Sequence, residues 1–248
     1  SNISHTNNYL ENGILVYYDF KKGFTAYNLA TNKGISYGKL NDCLTQPKYA
    51  PNKNLYYVAS YGFVELTPER KTHVITPNTS AHYVGSTNNT VYYTTYVNTK
   101  TSELYAYDRN THKTQKLSSI TTNGNPVFAD NKVFFTYNDH LYSAQGTKIT
   151  KYKPSYAHEL QELQVLNGTA YIAGESCVGG KNRLVFHTLD LSTQELKCHL
   201  DQVTGADLLM NMYAEIGNVR IDGNTVRFDY FTPTMHKVGA ITNGNLTT

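Results

Sequence analysis

A short pattern that recurs six times constrains the fold of this chain more than any other feature. Each copy has a turn containing Asn, Asp or Gly, then an aliphatic residue followed closely by aromatic residues, as in Val91-Tyr92-Tyr93 after Asn88-Asn89-Thr90. The aliphatic positions are Val16, Leu55, Val91, Val133, Ala170 and Val226. Four of their spacings are 36 to 42 residues and the last is 56, which indicates a repeated structural unit with one insertion.

Each copy of the pattern predicts four strands. The strand with the aromatic residues follows a short strand, such as Val127 to Ala129, and precedes an apolar strand, such as Leu141 to Ala144. A polar turn and a further short strand, for example Gln115 to Leu117, complete the unit. Four strands in about 40 residues are typical of one blade of a β-propeller. We therefore predict an all-β chain that forms a six-bladed β-propeller of four-stranded antiparallel blades. A large β-sandwich is the alternative, but it has no reason to repeat at a fixed period.

Composition excludes several other classes of protein. The chain has 248 residues, of which 40% are hydrophobic and 17% charged, so it can bury a core and disorder is not expected. Its net charge is +3 and its Lys and Arg residues are spread along the chain, which argues against nucleic-acid binding. No stretch is long and apolar enough for a membrane span. We expect one monomeric domain over residues 3–248, with Ser1-Asn2 left from a cleaved tag, and the shortened N-terminus favours an extracytoplasmic location.

The three cysteines, Cys43, Cys177 and Cys198, are too few for a disulfide framework. A bridge between Cys177 and Cys198 is one alternative, and free buried thiols are the one we favour. The sequence lacks both the CxxC or Cys/His spacing of a zinc site and the Asp pattern of a calcium loop. It therefore predicts no metal and no cofactor.

The clearest copies of the repeat run from Asn88 to Leu117 and from Asp130 to Lys151. Their order of polar turn, Val-Tyr-Tyr or Val-Phe-Phe, loop and second apolar strand resembles bacterial six-bladed propellers of the TolB-like and low-density-lipoprotein-receptor-like types. The receptor-type motif Tyr-Trp-Thr-Asp is absent, because the chain contains no Trp. This resemblance implies a secreted or surface-anchored binding module.

The loops indicate where binding would occur. Connections from second to third strands and between blades are expected to be longer than the other turns, and to form a loop-rich face on which binding residues concentrate. Aromatic residues follow the second strand in five copies, where amphipathic rings would suit a sugar or a protein partner. They are Phe20, Tyr61, Tyr96, Tyr137 and Tyr230. The alternative is that these residues are the ends of buried strands.

Polar candidates are assigned to the same face. They are Asp19, His82, Asp139, His140, His158, Glu159 and Glu175. The segment from Val203 to Ile216 is predicted to be a lid or a partner-binding loop, with local packing over the ring as the alternative. No nucleophile elbow, phosphate-binding glycine loop or HExxH motif occurs, so no catalytic residue is assigned.

These observations leave three functions open. The main prediction is a non-catalytic module that binds a protein partner at or outside the bacterial cell envelope through the loop-rich face. The first alternative is a lectin-like propeller that binds glycans through the aromatic residues. The second is a hydrolase or lyase that acts at the central channel of the propeller.

Overall fold

The computed structural model describes residues 8–40, 42–99, 101–121, 125–156, 159–207, 214–232 and 235–247. In these residues the chain is all-β, with no helix, and forms six four-stranded antiparallel sheets. Every sheet is built from four strands that are consecutive in the chain. This architecture is consistent with a six-bladed β-propeller and confirms the predicted fold class. No helix in the described residues is long and apolar enough to cross a membrane.

The chain divides into two compact units. The first covers the described residues up to Val97 together with Glu103–Ser118, and it contains the first three sheets apart from the ends of two strands. Its strands are β1 (Tyr9–Glu11), β2 (Ile14–Asp19), β3 (Gly23–Asn28), β4 (Lys33–Gly38), β5 (Lys48–Tyr49), β6 (Leu55–Ala59), β7 (Gly62–Leu66), β8 (Thr72–Thr76), β9 (Ala81–Ser86), β10 (Thr90–Tyr96), β11 (Thr101–Asp108) and β12 (Lys113–Thr121).

The second unit covers Asn98–Ser102 and the described residues from Ser119 onward, and it contains the last three sheets. Its strands are β13 (Val127–Ala129), β14 (Lys132–Tyr137), β15 (His140–Gln145), β16 (Lys148–Ser155), β17 (Glu159–Leu166), β18 (Thr169–Val178), β19 (Lys181–Asp190), β20 (Leu196–Asp207), β21 (Glu215–Asp222), β22 (Thr225–Thr232), β23 (Met235–Thr242) and β24 (Asn245–Thr247).

The Asn-Gly turns of the sequence form tight hairpins. Asn167 and Gly168, which join β17 to β18, have φ angles of 49° and 74°, and Asn12 and Gly13 have nearly the same values. Two consecutive residues with positive φ give the turn whose twist matches that of antiparallel strands. Asn and Gly are the residues that adopt this conformation at least cost, so the sequence pattern fixes the hairpin register.

The core lies between neighbouring sheets within each unit. In the first unit, one apolar cluster joins the first and second sheets and another joins the second and third. In the second unit, one cluster joins the fourth and fifth sheets and another the fifth and sixth. All residues of β6 and β7 are buried, which explains why the sequence of β6 is continuously apolar rather than alternating. The charged residue of β7, Glu65, is paired with Arg109.

The predicted difference in loop length is wrong for the turns between second and third strands. These turns contain only two residues in several sheets, as at Ser60-Tyr61, Asn138-Asp139 and Gly179-Gly180. The reason is that strands such as β18 and β19, each of 10 residues, continue past the apolar residues from which the strands were predicted. Residues that were assigned to the connection therefore belong to the strands. The predicted lid also begins within a strand, since β20 continues to Asp207, and residues 208–213 of the lid lie outside the described part of the chain.

All three cysteines are free thiols. The predicted burial is wrong for Cys177 and Cys198, which are exposed, and Cys43 is half-buried. Cys177 lies near the hairpin end of β18 and Cys198 on the outer strand β20, where side chains alternate between the core and solvent.

Candidate functional site

Three of the predicted aromatic residues lie at equivalent positions in the first unit. Phe20, Tyr61 and Tyr96 lie at or just after the ends of β2, β6 and β10, and their exposed fractions are 66%, 50% and 57%. Exposure of these rings agrees with the predicted aromatic surface. Their role in binding stays a prediction.

The two aromatic residues predicted in the second unit differ from these. Tyr137 is half-buried, and Tyr230 is buried with 4% of its surface exposed, so its assignment to an exposed ring is wrong. The strand β22 continues past Tyr230 to Thr232, and its alternation places Val226, Phe228 and Tyr230 in the core. The next residue, Phe231, has the opposite orientation and is 39% exposed.

Phe231 lines an acidic pocket in the second unit. The pocket has a volume of about 540 Å³ and is formed by β17, β18, β21 and β22, at the ends of the fifth and sixth sheets where β18 and β22 finish. Its lining includes four carboxylates, one from each strand. The lining residues are Glu162, Glu175, Glu215, Ile216, Gly217, Asn218, Asp229 and Phe231.

Glu162 lines the pocket and joins the fifth sheet to the sixth. Its Oε1 accepts the backbone N–H of Asn218 at 2.8 Å, and its Oε2 accepts that of Val219 at 2.5 Å. These amides belong to a β-bulge in β21, where the pairing with β22 shifts between Gly217 and Arg220. A bulge leaves backbone groups without ladder partners, so the carboxylate of Glu162 replaces the missing acceptors.

Replacing Glu162 with Ala is therefore expected to lower the free energy of unfolding by about 1–3 kcal/mol, because two amides of the bulge lose their acceptor. Chemical denaturation measures this difference. Glu162→Gln keeps one acceptor oxygen and should cost less, and Glu195→Ala, at an exposed position in the same unit, should cost little. Equal stability of Glu162→Ala and Glu195→Ala would contradict this role.

Asp229 is held in its ionised form on the opposite side of the bulge. Its carboxylate accepts hydrogen bonds from Asn218 Nδ2 at 2.5 Å and from Arg220 Nη2 at 3.2 Å. Burial raises the pKa of the Asp229 carboxyl, but the hydrogen bonds from Asn218 and Arg220 outweigh it and hold this pKa below its usual range. A carboxylate stabilised in this way is a poor proton donor at neutral pH.

Glu175 and Glu215 complete the acidic lining. Glu175 Oε1 accepts the backbone N–H of Ile216 at 3.0 Å, which brings its carboxylate next to the first residue of β21. That residue is Glu215, which is exposed to solvent and pairs with Phe231 across the sheet. The pocket thus has two carboxylates in addition to those of Glu162 and Asp229.

Of the polar candidates predicted from sequence, Glu175 lies in this pocket. Asp19 instead accepts the backbone N–H groups of Lys21 and Lys22 in its own turn, and His140 contacts the carbonyl oxygen of Tyr152. His158 and the side chain of Glu159 lie outside the described part of the chain. Among the described residues, no group of three or more His, Cys, Asp or Glu side chains is arranged to hold a metal ion.

Sequence analysis missed Glu162, Glu215, Asn218 and Asp229. They come from three strands and two sheets, so no local stretch of sequence brings them together. The one usable signal was the pair Gly217-Asn218, because a Gly and an Asn inside a strand indicate a bulge.

No protein-family model matches the sequence, and no curated protein is significantly similar to it. Solved structures with a similar fold include an oligogalacturonate lyase in complex with manganese, with 14% identity and a TM-score of 0.54 over 94% of this chain and 72% of that one. A puromycin hydrolase variant has 11% identity and a TM-score of 0.54, over 95% of this chain and 43% of that one. Hsv2 from Kluyveromyces lactis has 10% identity and a TM-score of 0.56, over 89% of this chain and 70% of that one.

The first two of these similar structures are enzymes. They contradict the main functional prediction, a non-catalytic binding module, and agree better with the alternative of a hydrolase or lyase. At 10 to 14% identity the likeness establishes the β-propeller type of fold. The chain also spans less than half of the puromycin hydrolase structure, which contains more than a domain of this kind.

Proposed function

We propose that this chain is a hydrolase or lyase of the β-propeller type, and that its substrate binds in the acidic pocket of the second unit. The observation that carries the proposal is the convergence of Glu162, Glu175, Glu215 and Asp229 on one cavity. Carboxylates in a cleft are the groups that transfer protons in the cleavage of glycosidic and related bonds.

We assign different roles to the four carboxylates. Glu162 and Asp229 are each engaged by two donors, which suits a structural role. Glu215 is exposed to solvent and Glu175 lies beside it, because its carboxylate accepts the backbone N–H of Ile216, and we assign proton transfer to these two residues. Two carboxylates on one cavity can act as the proton donor and the proton acceptor of one reaction.

The charge of the pocket restricts its substrates. Four carboxylates outweigh the single guanidinium of Arg220, so the cavity attracts cations and repels anions. An anionic uronate chain would be disfavoured there. The exposed ring of Phe231 offers a face on which a sugar ring could stack. We therefore propose a neutral or amino-bearing saccharide as the substrate class.

A finer part of this proposal concerns where the enzyme acts. The resemblance of the repeat to TolB-like propellers supports an extracytoplasmic enzyme, which would meet saccharides of the cell surface or its surroundings. A test is the distribution of the native protein between periplasmic, secreted and cytoplasmic fractions of its source cells. Recovery of the native protein in the cytoplasmic fraction alone would overturn the location and leave the chemistry of the pocket untouched.

Turnover of a panel of neutral, amino-bearing and uronate oligosaccharides tests the function directly. We expect cleavage of a member of the first two groups, and we expect Glu175→Gln and Glu215→Gln each to reduce kcat about a hundredfold. The Gln at position 175 keeps an acceptor for the amide of Ile216, so folding should be preserved. Glu195→Gln, exposed in the β19–β20 turn, is the matched control and should retain full activity.

Two results would overturn the proposal. One is cleavage that survives both pocket substitutions, which would place the reaction elsewhere in the chain. The other is the absence of both cleavage and binding for every neutral and amino-bearing member, measured at millimolar concentration with folded protein.

A further inference from the structure

Three ring side chains converge in the first unit. The hydroxyl of Tyr107, on β11, lies 2.5 Å from Nε2 of His73, on β8, and 2.7 Å from Nδ1 of His112, in the β11–β12 turn. One phenolic proton can be donated to only one of the two nitrogens, so the other contact needs a proton from its imidazole. The cluster links the second sheet to the third.

The β11–β12 turn is built to hold His112 in this position. Asp108 Oδ1 accepts the backbone N–H groups of Asn110 and Thr111, at 2.8 and 3.0 Å. His112 has a φ of 57°, and its own N–H donates to the carbonyl oxygen of Asp108 at 2.9 Å. This conformation directs the ring of an otherwise exposed residue back onto the strand, where it meets Tyr107.

The arrangement of the rings is close to that of three ligands on one ion. Consider two imidazoles whose nitrogens each lie about 2.0–2.1 Å from one metal ion, with an N–metal–N angle of about 90–110°. Their ring centroids are then roughly 4.5–5.2 Å apart. The centroids of His73 and His112 are 4.7 Å apart. A phenolate in the same set lies roughly 6 Å from each imidazole centroid, and Tyr107 lies 5.7 Å from His73 and 6.2 Å from His112.

The charges around the cluster favour a cation. The carboxylates of Glu65 and Asp108 lie close enough to act on the Tyr107 hydroxyl, and the charge of Arg109 opposes them. Arg109 and Glu65 form an ion pair, with 2.7 Å between Arg109 Nε and Glu65 Oε2, so their charges offset each other. The negative charge of Asp108 remains, and it favours a cation at the cluster.

We propose that His73 Nε2, His112 Nδ1 and Tyr107 Oη bind one divalent ion of the zinc class, with the fourth coordination position open to solvent beside His112. The phenolic proton passes to solvent as the metal–oxygen bond forms, so one proton is released for each ion bound. The two imidazoles, which are less buried than Tyr107, move outward by about half an ångström to reach bonding distances. Imidazole nitrogens and anionic oxygen are suitable ligands for Zn²⁺.

Calorimetric titration with Zn²⁺ tests this site in the Cys177→Ser, Cys198→Ser background, which removes the two exposed thiols. We expect one ion per chain, release of one proton, and an increase in Tm with Zn²⁺. Tyr107→Phe and His112→Ala should each weaken binding at least about tenfold. His82→Ala, an exposed histidine of the same unit, is the control and should bind as the parent does.

The histidine substitutions keep the test decisive if Tyr107→Phe fails to fold, because His112 lies in an exposed turn. Co²⁺ gives a second measurement, since its visible spectrum reports the number and type of ligands. Absence of Zn²⁺ binding at millimolar concentration would overturn the proposal. Binding that is unchanged in both His73→Ala and His112→Ala would overturn it as well.

Discussion

Replacing Phe228 with Ala is expected to lower the free energy of unfolding by about 3–5 kcal/mol, the usual cost of removing a fully buried aromatic ring. Phe228 has no exposed surface and belongs to the cluster between the fifth and sixth sheets. Its ring stacks on Phe186 with 4.0 Å between centroids and an interplanar angle of 14°. Its loss would leave a cavity between two sheets that are otherwise close-packed.

The neighbouring strand shows why this cavity cannot collapse easily. Gly239 lies opposite Phe228 in β23, and a Cβ added there would be only 2.3 Å from the ring. The ring therefore fills the space that a side chain at position 239 would occupy. Gly239→Ala overpacks the same contact and is expected to cost about 1–3 kcal/mol.

Phe231→Ala is the matched control for Phe228→Ala. The two residues lie on the same strand with opposite orientations, and Phe231 is 39% exposed in the pocket wall. We expect its replacement to cost under about 1.5 kcal/mol, because less apolar surface is buried. Urea denaturation of the wild type, Phe228→Ala and Phe231→Ala makes the comparison. Equal losses of unfolding free energy for the two variants would contradict the assigned packing.

Phe228 also illustrates how much of the fold the sequence predicts. The strand around Val226 was identified from a polar turn followed by an apolar position, and the structure places both Val226 and Phe228 in the core. Such signals are local, because a hairpin needs its turn residues and a buried strand needs apolar residues within a few positions. Repetition of the signal six times was then sufficient to predict the architecture.

The pocket depends on register across sheets, which local patterns do not contain. Tyr230 and Phe231 are adjacent aromatic residues, and the register of β22, not its length, places Tyr230 in the core and Phe231 outside it. Likewise, Glu162 and Asn218 are 56 positions apart in the chain and meet because a bulge in β21 turns two amides toward the fifth sheet. A shift of one residue reverses every side chain of a strand, so the site was less predictable than the fold.

Replacing Glu65 with Ala is the other substitution for which we expect a loss of about 3–5 kcal/mol, because it breaks a buried ion pair. The side chain of Glu65 accepts Arg109 Nε at 2.7 Å and Arg109 Nη2 at 3.1 Å. It also accepts the hydroxyl of the fully buried Tyr56 at 2.6 Å. Removing the carboxylate leaves both donors unsatisfied, and an unsatisfied buried donor is itself destabilising.

The pH dependence of stability gives this prediction a sign. Burial raises the pKa of the Glu65 carboxyl, but Arg109 and Tyr56 outweigh it and hold the pKa below its usual range. The stabilisation is therefore complete above about pH 4.3, the ordinary value for Glu, and is lost as pH falls through the lowered pKa. The difference in unfolding free energy between wild type and Glu65→Gln should accordingly shrink between pH 7 and pH 3.

Two further variants separate the ion pair from general effects of charge removal. Glu103→Ala removes a half-exposed partner of Lys116 in the same unit, and such pairs contribute under about 1 kcal/mol. Arg109→Met combined with Glu65→Leu removes both charges, and apolar replacement of a whole pair often restores stability. We expect the double variant to be more stable than Glu65→Ala. The contrary result is a loss of unfolding free energy in the double variant that equals the sum of the losses in Arg109→Met and Glu65→Leu alone. The two residues would then not act as a pair, since the effects of coupled residues are not additive.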